Sequence, residues 1–223
     1  MYDRDIEDST YTFEASGGLV HATLVMQDRE TDSHWSIMTH KSINGKKKGA
    51  KLNELPLGVK TKWKNWKENY PNTLVLSVNG KEDSKNVYSN YFDSDGVFKD
   101  NYATDKRMED KVAVFAFQFK EKNYAIPHRR IVGGKVVKIE NDYFFMYRPE
   151  ESSIYQSTAA YNLEDRQIEM NNNKWLISNT NCFFDPKSYE FSGEENDCPP
   201  RLEGMDTFWY TWSLTNPGTI ILH

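Results

Sequence analysis

Thr61-Lys62-Trp63-Lys64-Asn65-Trp66-Lys67-Glu68-Asn69-Tyr70-Pro71-Asn72-Thr73-Leu74-Val75-Leu76 returns at the end of the chain as Thr207-Phe208-Trp209-Tyr210-Thr211-Trp212-Ser213-Leu214-Thr215-Asn216-Pro217-Gly218-Thr219-Ile220-Ile221-Leu222. The Thr, both tryptophans, the Pro, the following Thr and the last Leu recur at one separation of 146 residues. Chance rarely produces that, so the chain reads as a duplicated unit. Thr61 stands as N-cap, Trp63 and Trp66 lie three apart on one helix face, and Pro71 stops the helix. A helix this short is marginal alone in water, where about 12 residues are needed, so burial of the indoles must hold it. Leu74 to Val78 then reads as a strand that ends at Asn79-Gly80.

Working outward, the expected fold is mainly β with a few short helices (α+β). Two related β-rich units each end in a Trp-x-x-Trp helix, Pro-x-Thr and a strand. Residues 1–80 form the first unit, 81–111 an irregular linker or surface excursion, and 112–223 the second unit carrying the C-terminal copy. Tyr11 to Ala15 reads as a strand ending in a Ser16-Gly17-Gly18 turn, and Leu19 to Met26 as an interior strand. Trp35 to Met38 resumes an extended pattern, and Lys46-Lys47-Lys48 reads as a solvated loop tip or a polyanion-binding loop. Tyr88, Tyr91 and Tyr102 pack the excursion on the body. Farther on, Val112 to Phe119, Tyr124 to Pro127, Val136-Val137, Tyr143 to Tyr147 and Lys174 to Ser178 read as strands. Reversals fall at Lys122-Asn123 and Gly133-Gly134, giving an antiparallel meander.

Composition supports a globular protein, because 38% hydrophobic residues can build a core, and the 14% aromatic content favours pleated surfaces. A net charge of -5 is the wrong sign for general nucleic-acid binding, which neutralises phosphates with excess Lys and Arg. No apolar run is long enough for a membrane helix, and Met1-Tyr2-Asp3-Arg4-Asp5 does not open a signal peptide. Cys182 and Cys198 are too few for a disulfide scaffold or a four-cysteine zinc site. Two unpaired thiols are the default, while a bridge, worth about 3 kcal/mol on the chain-entropy model, requires an oxidising compartment.

The chain resembles the bacterial and archaeal family of domain of unknown function 3179. The resemblance is carried by Tyr2-Asp3-Arg4, Phe13 with Ser16-Gly17, Met26 through Ser36, Ile43-Asn44-Gly45 with Gly49 and Leu52, Leu55-Pro56, and Trp63 through Leu76. Tyr124-Ala125-Ile126-Pro127 is similar to the family's Ala-Tyr-Pro element, and Phe208 to Thr219 to its terminal Phe-Trp and Pro-x-Thr. The resemblance implies export or a surface location, but no established activity. It also implies an upstream segment with a Cys-Pro-Leu-Cys motif that these residues do not include. Ile37 and His40 stand where relatives tend to have Gln and Gly, so a polar site shared across that hairpin is not expected.

Two places could carry chemistry. Asp28, Glu30, Asp32 and His34 alternate, so a continuous strand would present an acid-rich cation site on one face. The competing reading is a tight turn in which Asp28 and Thr31 bond local backbone. His128 follows Pro127 and precedes Arg129-Arg130, where an anionic group could be held. The candidate pocket is therefore Asp28, Arg29, Thr31, Ser33, His34, Trp35, His128 and Arg129. No residue set is assigned to a metal, a cofactor or a catalytic role, because phosphate-loop, dinucleotide, hydrolase and paired-cysteine motifs are absent. His21 reads as a core imidazole, Trp35 and Trp175 as core, and the four repeated tryptophans as packing. The expected function is a non-catalytic binding or structural domain of an exported or surface protein, with a small ligand or a protein as partner. The alternative is a metal-assisted or redox enzyme with its site near Asp28 to Trp35 and His128. Polyanion binding through Lys46 to Lys48 and Lys60 to Lys67, or carbohydrate binding through exposed tryptophan, is the minor alternative.

Overall fold

The computed structural model describes residues 2–55, 58–77, 79–80, 88–149, 154, 156–172, 174–194 and 196–223. The chain is mainly β with a few short helices. A small hairpin, β1 (Asp5–Ile6) and β2 (Ser9–Thr10), precedes an antiparallel meander of β3 (Phe13–Val20), β4 (Thr23–Asp28), β5 (His34–Ser36) and β6 (Lys41–Asn44). Two helices follow, α1 (Trp63–Asn69) and α2 (Ser89–Asp93). The hairpin β7 (Ala113–Phe119) and β8 (Lys122–Pro127) then runs antiparallel, and a 3-10 turn at His128–Arg130 leads on. A second meander comprises β9 (Lys135–Ile139), β10 (Asp142–Tyr147) and β11 (Ala159–Glu164), and a third β12 (Ile168–Asn171), β13 (Lys174–Ile177), β14 (Phe183–Asp185) and β15 (Glu190–Ser192). The chain closes with β16 (Met205–Phe208), α3 (Trp209–Thr215) and β17 (Ile220–Ile221).

These last elements explain the middle of the molecule. β16 pairs antiparallel with β7 and β17 pairs parallel with β8, so the closing segment brackets the hairpin and α3 lies across it. Period-2 alternation in β7 sends Val114 and Ala116 toward Trp209 and Trp212, while Phe115 and Phe117 face the opposite way. There they meet Val137, Ile139, Phe144 and Met146 of β9 and β10. The expected single meander is thus two sheets packed face to face. A third cluster joins β10 and β11 to the β12–β15 sheet, and Trp35 centres a fourth under the first meander.

Several local expectations are corrected. Leu19 to Met26 is not one interior strand: His21 and Ala22 adopt positive φ and turn the chain between β3 and β4, which leaves His21 exposed. Gly17-Gly18 lies in a register shift within β3 rather than in a terminal turn, with Gly17 at φ +76°. The reversal after β7 falls at Lys120-Glu121, two residues before the expected one. Lys62, not Thr61, caps α1, and no side-chain bond is made there. Leu74 to Leu76 forms no strand, and Val78 lies outside the described residues. Trp63 is half exposed rather than packed. Tyr91 bonds the Tyr210 hydroxyl as expected of a packed excursion, whereas Tyr88 and Tyr102 are exposed. Cys182 and Cys198 are joined in a disulfide, not left as thiols: the β14–β15 hairpin returns the chain past Cys182, and the two Cα atoms lie 5.5 Å apart.

Candidate functional site

The Asp28 run forms the tight turn between β4 and β5. Asp28 is fully buried, and its carboxylate accepts the Thr31 amide at 2.6 Å, the Thr31 hydroxyl at 2.7 Å and the Trp35 indole N–H at 2.7 Å. Burial alone would raise its pKa, but the bonds from Trp35 and Thr31 bring it below the ordinary carboxylate range. Ser33 extends the cluster, its Oγ lying 2.7 Å from the Thr31 hydroxyl and accepting the Lys47 amide at 3.0 Å. That contact requires glycine at 45, where a Cβ would sit 2.7 Å from Ser33. Arg29 points away and pairs with Glu14, while Glu30 accepts the Thr12 amide. Asp28, Thr31, Ser33 and Trp35 therefore share one buried network, Arg29 does not join it, and the four alternating side chains do not share a face. His34 lies beside this network on β5, and its buried Nδ1 has no partner among the described residues.

His128 belongs to a separate cluster. Its Nε2 lies 2.7 Å from Asp206 Oδ1, and the same oxygen accepts from Arg148 at 3.0 Å and from the Thr158 hydroxyl at 2.5 Å. Arg148 is fully buried, and burial lowers its pKa. Asp206 is held below the usual carboxylate range despite burial, because His128, Thr158 and Arg148 all favour the charged form. A 320 Å³ pocket lined by Lys60, His128, Ile154, Thr207 and Phe208 opens above it. Arg129 faces elsewhere, onto a 580 Å³ surface hollow shared with Arg107, Arg130, Thr219 and His223. No bond or ion pair joins the Asp28 and His128 clusters among the described residues.

A third arrangement was not expected from the sequence. Between the β5–β6 connection and the β7–β8 sheet lies a 550 Å³ cleft, bordered on its far side by Gly204, Met205, Trp212 and Asn216. His40 and Glu54 line it together. His40 Nε2 and Glu54 Oε2 are both buried, have no hydrogen-bond partner among the described residues, and stand 3.7 Å apart. Neighbouring chain fixes them: the Leu52 amide donates to the His40 carbonyl, residues 2 and 54 form a β-bridge, and the Tyr2 ring lies 5.1 Å from the His40 imidazole. His40 sits at φ +58°, the left-handed region that favours glycine. Burial, with Lys51 nearby, pushes the His40 pKa down to about 4, so the ring is neutral at pH 7. Burial, with Glu203 adding to it, pushes Glu54 up to about 6. Lys41, Lys48 and Lys51 surround the mouth. The one signal in the sequence was His40, where the family resemblance implies a glycine; Glu54 carried none.

Among the described residues, no group of three His, Cys, Asp or Glu side chains is placed to hold a metal ion, and no helix is long and apolar enough to cross a membrane. Searches of curated proteins and of solved structures returned no match. One family model does match, over residues 1–219, and it is described as "Protein of unknown function (DUF3179)".

Proposed function

The chain belongs to the DUF3179 family, and we propose that it is a non-catalytic binding domain that takes a small polar ligand in the His40–Glu54 cleft. The observation that carries this is the pair of buried polar atoms, His40 Nε2 and Glu54 Oε2, that have no hydrogen-bond partner among the described residues. An unsatisfied buried polar atom costs about 1–3 kcal/mol, and a ligand that bonds both removes that cost. The cleft volume falls in the range of small-molecule sites. With a neutral imidazole and a carboxylate facing inward and lysines at the mouth, the fitting ligand donates a hydrogen bond at one end and carries an anionic group at the other. Amino acids and hydroxy acids have this chemistry. The Cys182–Cys198 disulfide supports an exported or surface setting.

A catalytic reading has one observation in its favour, the 2.7 Å His128–Asp206 pair beside a pocket. Asp28 does not serve it, since both of its oxygens are taken by Thr31 and Trp35.

The test is a thermal-shift panel of amino acids, hydroxy acids and dicarboxylates on the purified protein and on His40→Gly, which removes the imidazole and relaxes the backbone. A ligand that raises the melting temperature of the parent but not of His40→Gly is expected. Equal shifts in both would place binding elsewhere. Consumption of a ligand, lost in His128→Ala, would favour the catalytic reading.

A further inference from the structure

α1 and α3 have the same local architecture. Each runs seven residues, and each closes with a hydrogen bond from the backbone N–H of the residue after the helix to the carbonyl of the second tryptophan, both 2.8 Å long. The C-cap angles nearly coincide, φ −129° and ψ 69° at Tyr70 against φ −124° and ψ 71° at Asn216. In both, the second indole N–H donates to a threonine seven residues on, Trp66 to Thr73 at 2.9 Å and Trp212 to Thr219 at 3.0 Å. Their surroundings are unlike. Around α3, both tryptophans lie against Val114, Ala116 and Ala125 of the β7–β8 hairpin, and the chain after the helix pairs with β8 through Ile220 and Ile221. Around α1, Trp63 is 51% exposed, Leu74 95% and Leu76 92%, and no backbone hydrogen bond is made by residues 74–76 among the described residues.

We propose that α1 and residues 73–76 form a docking site for an acidic β-hairpin from outside these 223 residues, seated as β7–β8 is seated against α3. The placement follows from the shared geometry: an extended strand beside residues 74–76 would complete their backbone bonds by strand addition, and small apolar side chains would cover the indoles. Charge sets the occupant's chemistry. Lys62, Lys64 and Lys67 stand where α3 has Phe208, Tyr210 and Ser213, and none of the three makes an ion pair among the described residues. A hairpin with carboxylates on its rim complements that face, and one with lysines does not. The site is independent of the His40–Glu54 cleft.

The probe is a synthetic peptide of residues 112–127 with Phe115→Thr, Phe117→Thr, Tyr124→Thr and Ile126→Thr. These positions face away from α3, so Val114, Ala116 and Ala125 are kept for the indoles. Two versions carry either Glu or Lys at both 118 and 123, cross-strand partners at the rim of the face shared by Val114, Ala116 and Ala125. Saturable binding to the purified protein at low salt is expected, at least tenfold tighter for the Glu peptide, with slowed amide exchange at Leu74 to Leu76. Leu74→Asp and Leu76→Asp, both at exposed positions, should weaken it at least tenfold without changing the unfolding midpoint. Absence of binding, equal affinity for the two peptides, or protection confined to other strands overturns the proposal. So does a dimer by light scattering that Leu76→Asp disperses, because the occupant is then a second copy.

Discussion

Trp63 and Trp209 occupy the same position of the same seven-residue helix, yet one is half exposed and the other has no accessible surface. The same contrast continues along both segments, where Thr219 is buried in α3's surroundings and Thr73 is not, and where Ile220 joins a sheet while Leu74 stands in solvent. Helix, proline stop and indole-to-threonine bond are therefore properties of the local sequence. What the segment contributes to stability depends on the sheet laid against it. α3 has β7 and β8 beneath it, and α1 has no sheet pairing among the described residues.

The contrast is broken most directly by truncating the paired tryptophans. Trp209→Ala removes a fully buried indole and its bond to the Asp105 carbonyl, and should cost about 3–5 kcal/mol. Trp63→Ala should cost less than about 1 kcal/mol by the same reasoning, because little of its packing exists to lose. Denaturant unfolding of both variants measures the difference, and similar losses would mean that α1 is packed as α3 is.

Position 206 and its counterpart 60 give a second pair. Asp206→Ala strips the buried Arg148 of its carboxylate and should destabilise by about 3 kcal/mol. Lys60→Ala should change stability by no more than about 0.5 kcal/mol.

A smaller effect isolates the indole bond. Thr219→Val leaves Trp212 Nε1 unsatisfied in a buried setting, for a loss of about 1–3 kcal/mol, whereas water can replace the hydroxyl at Thr73→Val. Thermal melts should show a clear drop for the first variant and almost none for the second.

The smallest effect concerns the cleft, which leans on Trp212 and Asn216 of α3. Folded Glu54 keeps its proton up to about pH 6, above its ordinary 4.5. The folded state therefore binds more protons between those values, and the parent gains stability as pH falls through that window. Glu54→Gln should be the more stable protein at pH 8 by about 1–2 kcal/mol, with the difference gone near pH 4. A pH-independent difference would remove Glu54 from the buried setting described for it.

Particular residues show how far the sequence could be followed. The chemistry of the Asp28 run was readable as a turn, because Asp and Thr at those spacings bond their own backbone; Trp35 closing the network through its indole N–H was not, since that bond depends on β5 folding back beside β4. His128 was noticed for its neighbours Arg129 and Arg130, but its partner is Asp206, brought in from a distant strand by the β16–β7 pairing. The cleft was the hardest part to see. His40 stood out only as a departure from the family pattern and Glu54 not at all, and only the approach of the first meander to the β7–β8 sheet encloses them.

By itself the sequence determined the β-rich class, the two short Trp-x-x-Trp helices with their proline stops, and the turn at Asp28. Each of these rests on interactions within a few residues, such as φ limits at proline, period-2 alternation and short side-chain to backbone bonds. The tertiary structure decided which Trp-x-x-Trp helix is buried, which charges meet at Asp206, that Cys182 reaches Cys198, and that a cleft exists at all. Those outcomes depend on strands far apart in the chain lying side by side, and burial, pKa and unpaired polar atoms are properties of that arrangement rather than of any local stretch.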